Sequence, residues 1–161
     1  MLTTIQNFPE QFLIGHRLVE AIDLGALRGK SFRRIFFAGM GGSSLPGDLV
    51  NDFLSDERPL RPVRDYRLPH DIRPEDLVIA SSYSGNTEET LEALDSALEK
   101  KAATIALTHG GKLAQLAREK NLPLISIPEC IQPRCATGYF FASLLGILHR
   151  LGKMEDPRPS L

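Results

Sequence analysis

Ser81–Thr90 reads SSYSGNTEET, and the fold turns on what stands either side of it. Before it lies a short apolar run, Leu77-Val78-Ile79-Ala80, with the length and composition of a buried strand. After it, Leu91–Lys100 turns Leu91, Leu94 and Leu98 inward and leaves Glu92, Asp95, Glu99 and Lys100 to water, the pattern of a half-buried helix. Asn86 and Glu89 are spaced as an N-cap residue and its partner three positions on. The stretch is therefore a strand-to-helix turn carrying the hydroxyls of Ser81, Ser82, Tyr83, Ser84 and Thr87. A helix start offers unpaired N–H groups and partial positive charge, and hydroxyls add donors, so the turn suits an anion such as phosphate.

The same alternation runs through the chain in both directions. Gln6–Leu24 has apolar residues at near-helical spacing and predicts a lead-in helix that packs on a sheet or a partner. Ile35–Ala38 reads as a buried strand ending in Gly39-Met40-Gly41-Gly42-Ser43-Ser44, with a helix over Leu45–Leu54. Pro62–Tyr66, set among arginines and prolines, predicts an edge strand. Thr104–Leu107 and Leu124–Ile127 are further strands, separated by a helix over Lys112–Lys120. A last apolar helix spans about Ala136–Leu151, and the polar, proline-rich residues 152–161 read as a linker or frayed end. Such alternation indicates an α/β fold: a doubly wound, five-stranded parallel sheet of order 2-1-3-4-5 with helices on both faces. In that order the carboxyl ends of strands 1 and 3 flank the switch point where ligands sit. The two oddest loops, GMGGSS and SSYSGNTEET, then lie side by side.

Composition narrows the function. Nineteen Lys and Arg against twenty Asp and Glu give a net charge of −1, which argues against a nucleic-acid surface or a polybasic membrane patch. No apolar run approaches the roughly 20 residues of a membrane span, and the N-terminus lacks a signal-peptide pattern. Cys130 and Cys135 read as reduced thiols of a cytoplasmic protein rather than a disulfide scaffold. With no cluster of His, Cys and carboxylates, neither a metal site nor a cofactor is expected. A dinucleotide site is one alternative, since Gly39 and Gly41 follow the first strand and Asp65 stands near the second. Ser44 occupies the place of the third glycine of that fingerprint. The chain has no GxxxxGK[ST] cradle and no GxSxG elbow.

GMGGSS-LPGDL, SSYSGNTEETL and QPRCATGY, in this order and spacing, resemble the sugar isomerase (SIS) domain. More narrowly, they resemble the N-terminal half of the bifunctional phosphoglucose/phosphomannose isomerases. The resemblance runs from about Phe8 to Leu151 and makes residues 1–151 a single SIS domain. It implies that Ser82, Ser84 and Thr87 bind the sugar phosphate with help from the backbone at Gly85 and Asn86. Gly41, Gly42 and Ser43 would let the backbone approach the sugar. Arg134 matches the arginine that stabilises the enediolate-like intermediate, and a fixed guanidinium suits charge that develops on oxygen.

In that family the general-base glutamate, the ring-opening histidine and a lysine come from a second SIS half or across a dimer. The chain stops where that half would begin, so the expectation is a fragment, a split gene product or a single-domain relative. Glu129 is the one carboxylate here considered as a substitute base, with an exposed acid the plainer reading. His109 lies on the ligand edge and reads as a solvated loop residue; His149 reads as packed or interfacial rather than catalytic. Two functions stay open: half of a glucose/mannose 6-phosphate to fructose 6-phosphate isomerase, or a phosphosugar-binding or sensor module without turnover. In either case the expected partner is a second copy or a second SIS half.

Overall fold

The computed structural model describes residues 8–54, 59–130 and 132–157. Helix α1 spans Phe8–Glu20, followed by β1 (Ile35–Gly39), α2 (Leu45–Phe53), β2 (Leu60–Val63) and β3 (Leu77–Ser81). Then come α3 (Glu88–Glu99), β4 (Ala103–Thr108), α4 (Gly111–Glu119), β5 (Leu124–Ser126) and α5 (Thr137–Arg150). Single 3-10 turns occupy Gly25–Leu27, Gly41–Ser43 and Pro133–Ala136. The strands form one sheet of order β2-β1-β3-β4-β5, and every pairing is parallel, as the sequence predicts.

The apolar strand sequences divide cleanly between two faces because successive side chains alternate. Ile35, Phe37, Leu77, Ile79, Ile105 and Leu107 pack with Val19 of α1, Val50 of α2 and Phe140, Leu144 and Leu148 of α5. Phe36, Ala38 and Val78 face the opposite side, against Ala93 and Ala97 of α3. Ala80 and Ala106 share that side with Leu94 of α3 and with Leu113 and Ala117 of α4. Helices α1 and α5 lie close together. A Cβ on Gly15 would stand 2.6 Å from the Tyr139 carbonyl oxygen. Gln11 joins them: its Nε2 donates to the Cys135 carbonyl (2.7 Å) and its Oε1 accepts from the Gly138 N–H (3.1 Å).

Charge concentrates below the sheet, at its amino end. Asp76, fully buried just before β3, accepts from Arg33 Nε (3.0 Å) and Nη2 (2.8 Å) and from Arg34 Nε (3.2 Å) and Nη2 (2.9 Å). The Arg73 N–H adds a further bond at 2.9 Å. Burial pushes this carboxyl's pKa up, but the bonds from Arg34 and Arg33 outweigh it and hold the group well below the usual carboxylate range.

Several boundaries differ from expectation. The lead-in helix ends at Glu20 rather than Leu24, because Asp23 Oδ1 takes the Gly25 N–H (2.7 Å) and starts a separate turn. Residues 6 and 7 of that predicted helix lie outside the described residues. Strand β2 begins at Leu60, two residues before the expected Pro62. The Asn51 side chain brackets Leu60, donating to its carbonyl (2.8 Å) and accepting its N–H (3.0 Å). The edge placement of β2 holds, with Pro62 opposite Phe37. In the polar tail, Met154 packs against the main core and Pro157 is buried; residues 158–161 lie outside the described residues.

Candidate functional site

Register puts Gly39 beside Ser81, and Ser81 beside Leu107, so β1, β3 and β4 end level at the carboxyl edge. The loops after β1 and β3 are consequently neighbours. They are joined by hydrogen bonds: Ser81 Oγ donates to the Ser43 carbonyl (3.0 Å), and the Tyr83 N–H donates to Ser43 Oγ (3.0 Å). Ser43 thus links the loops, while its own hydroxyl hydrogen is left to be donated elsewhere. Gly41 adopts φ +50. A Cβ on Gly42 would meet nothing within 4 Å among the described residues, so none of them demands glycine there.

The hydroxyl loop is closed on itself. Ser82 is 1% exposed, accepts the Gly85 N–H (3.0 Å) and shares a hydrogen bond with Thr87 Oγ1 (2.8 Å). Ser84 is exposed, and its oxygen accepts the Asn86 N–H at 3.2 Å. Thr87 occupies the N-cap of α3 without a side-chain cap bond, which leaves the first turn of that helix without a side-chain acceptor at its cap. The predicted cap, Asn86, is therefore corrected. Its Oδ1 instead accepts the Lys112 N–H (3.1 Å), so it caps the neighbouring helix α4.

That contact belongs to a second junction which sequence reasoning missed. A Cβ on Gly85, at φ +69, would stand 1.7 Å from the Gly110 carbonyl oxygen. The Leu113 N–H donates to the Gly85 carbonyl (2.9 Å) and the His109 N–H to the Tyr83 carbonyl (3.1 Å). Only glycine allows this approach, and the glycines of Thr108-His109-Gly110-Gly111 were its signal in the sequence. His109 is exposed. Its Nδ1 pairs with the Ile127 carbonyl at 3.0 Å, and because a carbonyl oxygen only accepts, Nδ1 is the donor.

Arg134 lies in the Pro133–Ala136 turn, which packs against the Gly41–Ser43 turn. Its side chain is exposed, and its Nε donates to Gln132 Oε1 (2.7 Å). The structure therefore gathers Gly41, Gly42, Ser43, Ser82, Ser84, Gly85, Asn86, Thr87 and Arg134 at one edge of the sheet. Glu129 is exposed, and His149 is half-buried with Nδ1 3.4 Å from the Met154 carbonyl. Near the helix start, Glu89 first, then burial and Glu88, push the Tyr66 phenol pKa up. Beneath the loops, burial raises those of Tyr83 and Cys130.

A doubly wound domain with a serine- and threonine-rich turn at a helix start after its central strand defines a class of protein with an anion-friendly sheet edge. Residues 65–140 match the model of the SIS domain. The chain carries a SIS domain homologous to the bifunctional phosphoglucose/phosphomannose isomerases. It is 39% identical to that enzyme of Caldicellulosiruptor bescii over 96% of this chain and 46% of the relative. With the enzyme of Thermoplasma acidophilum it shares 38% identity over 82% of this chain and 41% of the relative. The chain spans about half the length of these curated relatives. A solved structure from Listeria monocytogenes, described as a candidate sugar-phosphate isomerase, shares the fold. Its TM-score is 0.64 at 21% identity, covering 99% of this chain and 93% of that one.

Proposed function

We propose that this chain is the phosphosugar-binding half of an aldose–ketose isomerase acting on glucose or mannose 6-phosphate and fructose 6-phosphate. The observation that carries the reading is the meeting of three loops at one sheet edge, in a chain homologous to such enzymes over nearly its whole length. Ser84, Thr87 and the first turn of α3 receive the phosphate, while Ser82 holds the loop in shape. The open space above Gly42 admits the sugar against the backbone. Arg134 stands where negative charge develops as a proton moves between adjacent carbons. The base comes from a second SIS unit.

Pairing has a surface to use. Phe8, Phe12, Leu49, Phe53 and Phe141 line an apolar groove of about 310 Å³, with edge-to-face contacts between Phe12 and Phe141 and between Phe53 and Phe141. Phe8 is 38% and Phe53 42% exposed. We place a second SIS unit on this face, a second copy of this chain when the purified chain is alone. Among the described residues no helix is long and apolar enough to cross a membrane. Free Cys130 and Cys135 fit the cytoplasmic reading.

Calorimetric titration with fructose 6-phosphate tests the site. The double variant S84A/T87A loses two phosphate hydrogen bonds, so affinity falls about tenfold or more while the fold persists. Unchanged affinity refutes this placement of the phosphate. A coupled assay of the chain paired with a second SIS unit that carries a glutamate base then separates the two functions: binding without turnover by that pair identifies a sensor or binding module.

A further inference from the structure

Tyr83 connects the hydroxyl loop to its neighbours through both its main chain and its side chain. Tyr83 sits between Ser82 and Ser84, and its main chain binds the loops on both sides. Its N–H donates to Ser43 Oγ of the glycine turn, and its carbonyl accepts the His109 N–H from the loop after β4. Its side chain reaches the other way. The phenol oxygen accepts the Cys130 N–H at 2.6 Å and donates to the Cys130 carbonyl at 3.1 Å.

Two bonds to one residue set the orientation of the backbone there as well as its position. Cys130 precedes Arg134 by four residues, and the turn that carries Arg134 is itself braced. The Cys135 N–H donates to the Gln132 carbonyl (2.9 Å), and Gln132 Oε1 holds Arg134 Nε. The Tyr83 ring also stacks on His109 (centroids 5.4 Å, planes 15° apart), and His109 Nδ1 in turn holds the Ile127 carbonyl. The ring also meets Phe140 (6.5 Å) in α5, just after the arginine turn. One side chain from the phosphate loop thus contacts the chain before Arg134 and the helix after it. A phosphate loop alone has no use for so long a strut, since its other hydroxyls are short. A tyrosine phenol is protonated at neutral pH, and burial raises its pKa further, so the hydroxyl is available as a donor.

We propose that Tyr83 is the positioning residue that sets the separation between the hydroxyl loop and Arg134. The site then measures a phosphosugar from its phosphate to the carbon where charge develops. The proposal rests on the site reading given above and deepens it to chain-length selectivity.

The test is Tyr83→Phe, which keeps the ring and removes only the hydroxyl. The ligands are inorganic phosphate and phosphorylated aldonic acids of four, five and six carbons, whose carboxylate stands in for the enediolate. Wild-type chain is expected to favour one length about tenfold, and R134A to lose that preference. Y83F should bind inorganic phosphate within about twofold of wild type yet lose most of the length preference, and Y83F/R134A should match R134A. Hydrogen exchange, read without ligand, should quicken about tenfold at the Cys130 amide while the Ile79 and Ile105 amides stay protected, which also shows the fold intact. A Y83F chain that keeps the preference, that loses inorganic phosphate as strongly as the aldonates, or whose Cys130 amide is unchanged overturns the proposal alone. A wild-type chain that binds none of these ligands overturns the site reading and this proposal with it.

Discussion

Replacing Asp76 by asparagine probes the buried charge beneath the sheet, where the entry loops of β1 and β3 are held together. The variant keeps the shape but removes the counter-ion shared by Arg33 and Arg34, and turns one amide N–H₂ toward their donors. Removing one partner of a buried pair costs about 3–5 kcal/mol. Two features place this site at the lower end. Arg34 keeps Asp71 at 2.7 Å, and the Arg33 side chain, 36% exposed, can turn to water. We therefore expect about 3 kcal/mol, which for a chain of this length lowers Tm by about 6–12 °C at pH 7. Thermal unfolding followed by circular dichroism reads the shift. The pH dependence has a definite sign. The Asp76 pKa is lower in the folded chain than the unfolded value of about 3.9, so its stabilisation is complete above that pH and is lost as pH falls toward the folded value. The gap between wild type and D76N should be constant from neutral pH to about 5 and narrow below about 4. A Tm loss under about 2 °C at pH 7, or a gap that widens in acid, refutes the reasoning.

Gly85→Ala should damage fold and site together. The new methyl would start 1.7 Å from the Gly110 carbonyl oxygen at a φ of +69, so the loops after β3 and β4 must part. Left-handed strain of about 1 kcal/mol and two weakened inter-loop hydrogen bonds at about 1 kcal/mol each give roughly 3 kcal/mol in thermal unfolding, with loss of phosphosugar binding. Near-native stability would show that the two loops are not packed as described. Phe53→Lys should leave thermal stability within about 1 kcal/mol, because Phe53 is 42% exposed, yet shift the chain from dimer to monomer in sedimentation at micromolar concentration. A wild-type chain that is monomeric under those conditions refutes the pairing surface.

Much of the fold is legible in the sequence because its signals are local. Runs such as Leu77–Ala80 announce buried strands, and the sheet order follows from the alternation of strands and helices. The hydroxyl turn, the glycine turn and the arginine turn were readable as motifs, and parallel topology alone brings the first two to one edge. Their internal division of labour was not readable. Asn86 looks like the cap of the helix that follows it, yet its oxygen belongs to Lys112, 26 residues on. Tyr83 looks like one more loop hydroxyl, yet its bonds reach Cys130, 47 positions away. Gln11 lies within a predicted helix, but nothing nearby says that it secures the start of α5. The sequence by itself determined the layers, the strand order and which loops share the carboxyl edge of the sheet, because periodicity and chain handedness need no distant partner. Only the tertiary structure decided which side chains support the site, because a polar group buried by folding bonds to whatever partner the packing presents, and that partner leaves no mark in its local sequence.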